Sequence, residues 1–164
     1  MRQWLFFISI FFISCQSNTV DEREQAPLDE DKVVFEEGQH ILWKCTYDRE
    51  DQELTIVAHL AEGWMTYSTY NQNFMGPLPT LITFDKNALY ELDGSLVEEN
   101  LKMKLDEETN EELSYFEKKA IFKQKLIINS GEKFVVTGNV NFMTCNENGC
   151  EPPVDYPFEI EILP

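Results

Sequence analysis

From about Val33 onward, apolar and polar residues alternate with a period of two. "HILWKCTYD" puts Trp43, Cys45 and Tyr47 on one face, and "ELTIVAHLA" sets Leu54, Ile56, Ala58 and Leu60 against Thr55, Val57 and His59. "AIFKQKLII" aligns Phe122, Gln124, Leu126 and Ile128. "KFVVTGNVNFMTC" aligns Phe134, Val136, Val140 and Phe142, and "VDYPFEIEI" aligns Val154, Tyr156, Phe158 and Ile160. Alternation in short runs predicts half-buried antiparallel strands. The clusters "NSGEK", "DGS" and "NENG" supply the turns between them. No long window carries a helical stripe, and "DEETNEELSYF" reads as a polar loop rather than a helical turn over 107–113. Several short strands at these spacings predict an all-β chain, an immunoglobulin-like antiparallel β-sandwich.

The first residues follow another pattern. "MRQWLFFISIFFISC" has a basic residue, an apolar run too short to span a bilayer as a mature helix, and a small residue before Cys15. This predicts a lipoprotein signal peptide over 1–14 and lipidation at Cys15. Residues 15–33 are polar and acidic, and they read as a tether that cannot bury enough surface to offset its ordering entropy. The folded domain is expected over 34–164, in the cell envelope on the periplasmic or outer-surface side.

Charge narrows the partners. The chain carries 30 acidic and 13 basic residues, a net charge of −17. Such a surface repels phosphate backbones, which argues against nucleic acid. It also disfavours a polybasic attachment to anionic lipid, so the lipid on Cys15 has to hold the membrane.

The chemistry resides in "NFMTCNENGCEPP". Cys145 and Cys150 flank four polar residues, and Asn148-Gly149 suits the positive φ of a hairpin turn. The two cysteines are expected to face each other at the base of that hairpin. On a straight strand Cys145 has the parity of Asn139 and Asn141 and points away from the core, whereas Cys150 has the parity of Val154 and Tyr156. They can meet only if the register slips by one residue, and Pro152-Pro153 is the place for it, since proline cannot donate to a ladder. A surface-facing disulfide of this kind is of the accessible sort, which is more often labile than inert. A structural staple and a metal clip remain the competing readings. The metal reading is the weakest, because two cysteines without a nearby histidine make half a zinc site, so no metal and no other cofactor is expected. Cys45, beside Trp43 and Tyr47, reads as a buried, unreactive thiol.

Several segments, taken in order, resemble the periplasmic N-terminal domain of the thiol:disulfide interchange protein DsbD, the form that stands ahead of a "cytochrome c biogenesis" type membrane reductase. Ala61–Ser68, "AEGWMTYS", resembles the family's "dGWHxYS" strand, and Met75–Phe84, "MGPLPTLITF", its "GGPxPTxFxF" segment. "YELDGSLVEE" resembles the glycine-containing loop that follows, and "YFEKKAIFKQKLII" the long central strand. "GNVNFMTCNENGCEPPVDYPFEI" resembles the ending "GxxxxxxCxxxxCxPPxxxxFxx". The resemblance implies an immunoglobulin-like sandwich whose hairpin cysteines shuttle between dithiol and disulfide. It implies Cys145 and Cys150 as the redox pair, Cys150 as the sulfur a partner engages and Cys145 as the resolving one. It implies a protective cap over the pair at Tyr90–Ser95, with Glu91, Leu92 and Gly94, and Tyr67 and Met65 beside the active site. The implied partners are thioredoxin-fold redox proteins and a membrane thiol reductase acting in trans. The competing reading is a non-catalytic immunoglobulin-like lipoprotein module with a structural disulfide.

Overall fold

The computed structural model describes residues 33–71, 76–106 and 110–163. The expected signal peptide, Cys15 and nearly all of the expected tether lie outside them, as does part of the "DEETN" segment.

Among the described residues twelve strands follow in chain order: β1 (Ile41–Asp48), β2 (Glu53–Leu60), β3 (Met65–Tyr67), β4 (Leu81–Phe84), β5 (Tyr90–Glu99), β6 (Lys102–Leu105), β7 (Glu112–Glu117), β8 (Lys119–Ile128), β9 (Phe134–Phe142), β10 (Cys145–Asn146), β11 (Gly149–Cys150) and β12 (Val154–Ile162). Every pairing is antiparallel. One sheet runs β1-β2-β8-β5 and a second runs β12-β9-β4. Their inner faces enclose the core, which includes Leu54, Ile56, Phe122, Leu126, Val136, Val140, Phe142 and Phe158. The architecture is an immunoglobulin-like antiparallel β-sandwich, as the alternation predicts.

The alternating residues fall where period two puts them, with one exception. Val154 is 52% exposed, because it opens β12 directly after the two prolines. Gln124 is the one polar residue of the inward set on β8. Its Nε2 donates to the Asp93 and Lys125 carbonyls at 3.2 and 3.0 Å. The Asp93 acceptor is available because the β5–β8 register shifts between Asp93 and Val97, where Gly94 takes φ +71°. A buried amide so satisfied avoids the cost of an unpaired polar group.

A third sheet of five short strands, β11-β10-β3-β7-β6, positions the candidate site. It is assembled from strands that leave the sandwich. β2 pairs with β8, and their continuations β3 and β7 pair again after a break on each chain. One break is the turn Ala61–Trp64, with Gly63 at φ +80°; the other is Lys118, at φ +65°. The Leu60 N–H donates to the Lys118 carbonyl at 2.8 Å and pins the two breaks together. β9 contributes the third continuation, β10.

Strand β7 covers the second half of "DEETNEELSYF", the segment expected as a polar loop, and the Tyr115–Glu117 start of the segment matched to the long central strand. Leu113 and Phe116 are both fully buried although their spacing of three puts them on opposite faces. A strand buried on both faces shows no alternation, which is why period two does not reveal it.

Candidate redox site

β9 ends at Phe142, and two residues later Cys145 begins a new strand in a different sheet. Cys145 pairs with Cys150 on one side and with Met65 on the other. Cys145 and Cys150 are joined by a disulfide. The turn is closed by Asn146, whose Oδ1 accepts from the Asn148 N–H at 2.8 Å, and Gly149 takes φ +141°. Both features favour the residue types present.

The one-residue slip lies at the prolines. Phe142 faces Val154 and Cys145 faces Cys150, so two residues separate the pairs on one strand and three on the other. The Glu151 N–H donates to the Thr144 carbonyl at 2.8 Å, which leaves Pro152 and Pro153 to hold the extra residue. The expected direction of Cys145 is corrected. It is 3% exposed, because the chain changes sheet at Met143-Thr144 and the parity of β9 no longer applies. Cys150 is exposed. The disulfide is thus asymmetric, with one cysteine covered and the other open to solvent.

Around it stand residues from distant parts of the chain. The His40 ring stacks on Trp64 with centroids 3.7 Å apart and planes 9° from parallel. Its Nε2 is hydrogen-bonded to Glu151 Oε2 at 2.5 Å, and Thr144 Oγ1 donates to the same oxygen at 3.3 Å. This braces the base of the hairpin on the face opposite the disulfide, since Thr144 and Glu151 alternate with Cys145 and Cys150. A groove of about 300 Å³ borders the hairpin turn, lined by Glu62, Gly63, Trp64, Met65, Asn146, Glu147 and Asn148. Tyr67 is buried two residues beyond Met65, and burial, helped by the charge of Asp106, pushes its phenol up to about 12. Among the described residues no group of three His, Cys, Asp or Glu side chains is placed to hold a metal ion.

Cys45 lies apart from this site. It is half-buried against the core on β1, and desolvation pushes its thiol up to about 11, so it is overwhelmingly protonated near neutral pH.

No family model and no curated protein matches this chain. Solved structures do match it. The reduced N-terminal domain of DsbD from Neisseria meningitidis superposes with a TM-score of 0.54, covering 76% of this chain and 87% of that one at 18% identity. The fold is that of the DsbD N-terminal domain. A complex between the DsbD and PilB N-terminal domains of the same organism gives 0.54 at 16% identity, covering 73% of this chain and 81% of that one. The N-terminal periplasmic domain of ScsB from Proteus mirabilis gives 0.50 at 14% identity; 78% of this chain covers about half, 49%, of that chain.

On this DsbD-type fold, the structure brings together Cys145, Cys150, Met65 and Tyr67 but not the residues assigned to a cap. Glu91 and Leu92 pair with Ile127 and Leu126. They sit seven or eight residues along β8 from Lys119, the end that leads into the small sheet, and at strand spacing that is roughly 25 Å. Gly94 belongs to the bulge on β5. The cap assignment is therefore corrected: ladder hydrogen bonds hold this segment along the sandwich, away from the hairpin. The residues that do flank the pair, His40, Trp64, Lys104, Tyr115 and Glu151, were not singled out as site residues by the sequence. Their common signal is long-range: His40 and Glu151 are 111 positions apart.

Proposed function

We propose that this chain is an extracytoplasmic thiol–disulfide exchange domain that passes reducing equivalents between thioredoxin-fold partners through Cys145 and Cys150. The observation that carries the reading is the asymmetric disulfide, with Cys150 exposed and Cys145 covered, at the base of a hairpin on the edge of the five-stranded sheet of a DsbD-type fold. A partner thiolate can approach Cys150 Sγ. A new S–S bond forms there, the Cys145–Cys150 bond breaks, and its electron pair leaves on Cys145 Sγ, which takes up a proton. The partner's second thiolate then attacks the partner's own sulfur in the mixed disulfide, the partner leaves as a disulfide and Cys150 leaves as a thiolate that takes up a proton. The reduced pair passes both electrons on by the reverse sequence at the disulfide of another partner, and the direction of flow follows the potentials of the couples. The DsbD N-terminal domain solved in complex with the PilB N-terminal domain supports a protein, rather than a small molecule, as the partner. The donor in this reading is a membrane thiol reductase.

The reduction potential of the pair tests this. A value in the range of disulfide isomerases, near −180 mV, is expected; a value below about −300 mV marks a structural bond and favours the binding-module alternative.

The same reading places the domain on a membrane through a lipid on Cys15, supported by the short apolar run and small residue before that cysteine. The native protein is expected to partition into detergent, and Cys15→Ala to release it or to block its processing. A detergent-indifferent wild-type protein would remove the anchor from the proposal without touching the redox chemistry.

A further inference from the structure

We propose that Lys104 is a positioning residue for the exchange chemistry, one that holds a positive charge beside Cys145 and favours its thiolate when the pair is reduced. The inference rests on the thiol–disulfide reading above.

The argument begins with what holds Lys104 in place. On β6 it is partly buried, while its neighbours Lys102, Met103 and Leu105 are exposed. Its Nζ donates to Met65 Sδ at 3.3 Å and lies 5.0 Å from the centroid of the Tyr115 ring. The long side chain crosses β7 to reach these groups, since Met65 lies on β3 and Tyr115 on β7. Neither contact neutralises the ammonium, as a thioether and a ring face are uncharged. Among the described residues no carboxylate lies within ion-pair distance of it. Lys102 on the same strand contrasts with it, being paired to Glu117 at 2.7 Å.

Met65 is the residue directly opposite Cys145. Opposed residues of an antiparallel pair project from the same face, with Cβ atoms about 4.5–5.5 Å apart. The ammonium bonded to Met65 therefore sits on the face of Cys145, across one side chain from its sulfur. A positive charge on the face of a thiol favours its ionised form and lowers its pKa. The other charged and titratable groups of the neighbourhood argue for the need. Glu117 faces Met65 from β7, Tyr67 shares β3, Asp106 follows β6, and Glu62 and Glu147 line the groove beside the turn. Glu151 and His40 occupy the opposite face. Glu117, Asp106, Glu62 and Glu147 supply negative charge to this neighbourhood while the Tyr67 phenol stays neutral. Negative charge disfavours a thiolate, and Lys104 opposes it.

The step that benefits is resolution. In the mixed disulfide, the Cys145 thiolate attacks Cys150 Sγ, the Cys145–Cys150 bond re-forms, and the electron pair of the broken intermolecular bond leaves on the partner sulfur. The attacking species is the thiolate, so lowering a thiol pKa that lies above ambient pH raises the rate, the gain in thiolate outweighing its smaller nucleophilicity.

The test follows thiolate ultraviolet absorbance against pH in the full chain carrying Cys150→Ala and Cys15→Ser, reduced. Cys45 titrates well apart, near 11. Lys104→Met is expected to raise the Cys145 midpoint by about one pH unit, and Lys104→Arg to leave it near that of Lys104. Lys104→Gln, read the same way, replaces the methionine variant if that one does not fold. A midpoint unchanged by loss of the charge, or raised equally by Met and Arg, overturns the proposal. If the midpoint moves but the wild-type pair exchanges with no thioredoxin-fold disulfide, the proposed function fails while the role of Lys104 stands. If exchange proceeds and the midpoint stays fixed, the role of Lys104 fails alone.

Discussion

Cys145→Ala is expected to accumulate a mixed disulfide through Cys150 with a thioredoxin-fold protein of the same compartment. Removing the covered cysteine leaves the exposed one able to form an intermolecular bond but leaves nothing nearby to expel the partner. Cys150→Ala retains only Cys145, which is 3% exposed and pairs directly with Met65. Its sulfur is poorly placed to meet another protein, so far less complex is expected. Non-reducing electrophoresis of cross-linked envelope extracts, with the partner identified by mass spectrometry, reads both variants. The double variant is expected to fold, because a disulfide closing so short a loop contributes only about 2 kcal/mol in the chain-entropy model. Equal trapping through either cysteine would refute the assignment of roles and keep the redox function. A double variant that unfolds, with neither single variant trapping a partner, would make the hairpin bond a staple.

Gly138→Ala is expected to be the most damaging conservative substitution in the sandwich. Gly138 lies mid-way along β9, opposite Phe158 of β12 and Phe84 of β4. These two rings meet edge to face with centroids 5.7 Å apart. A Cβ on Gly138 would fall 2.3 Å from the Thr83 carbonyl oxygen and 2.4 Å from Cζ of Phe158. The first of these is backbone in a paired strand and cannot swing aside, so β4 or the Phe158 ring must shift. Overpacking costs about 1–3 kcal/mol, and a clash with backbone puts this site at the upper end. Gly131 makes the control, since an added Cβ there meets nothing within 4 Å. Urea denaturation should show a large loss of stability for Gly138→Ala and almost none for Gly131→Ala. Comparable midpoints for the two would mean that the packing between β9, β4 and β12 is wrongly described.

Much of this protein was legible in local pattern. Period two marks the inner faces of β2, β8 and β9, because burial on one side of a strand writes itself directly into alternate residues. The paired cysteines, the Asn-Gly turn and the proline slip were legible for the same reason: each depends on residues a few positions apart. Alternation, however, says which face a residue is on and not which sheet its strand joins. β7 shows no alternation because both its faces are covered, and the parity of β9 gives the wrong direction for Cys145 because the chain changes sheets between Phe142 and Cys145. The segment Tyr90–Ser95 was placed over the cysteines by motif order, whereas the ladder with β8 holds it along the sandwich. His40 reaches Glu151, and Lys104 reaches Met65, only through the order of strands in the small sheet. Sheet order is set by side chains packing across long sequence separations, so the hairpin and its cysteines follow from sequence, while their neighbours, and the asymmetry of the two sulfurs, follow from tertiary structure.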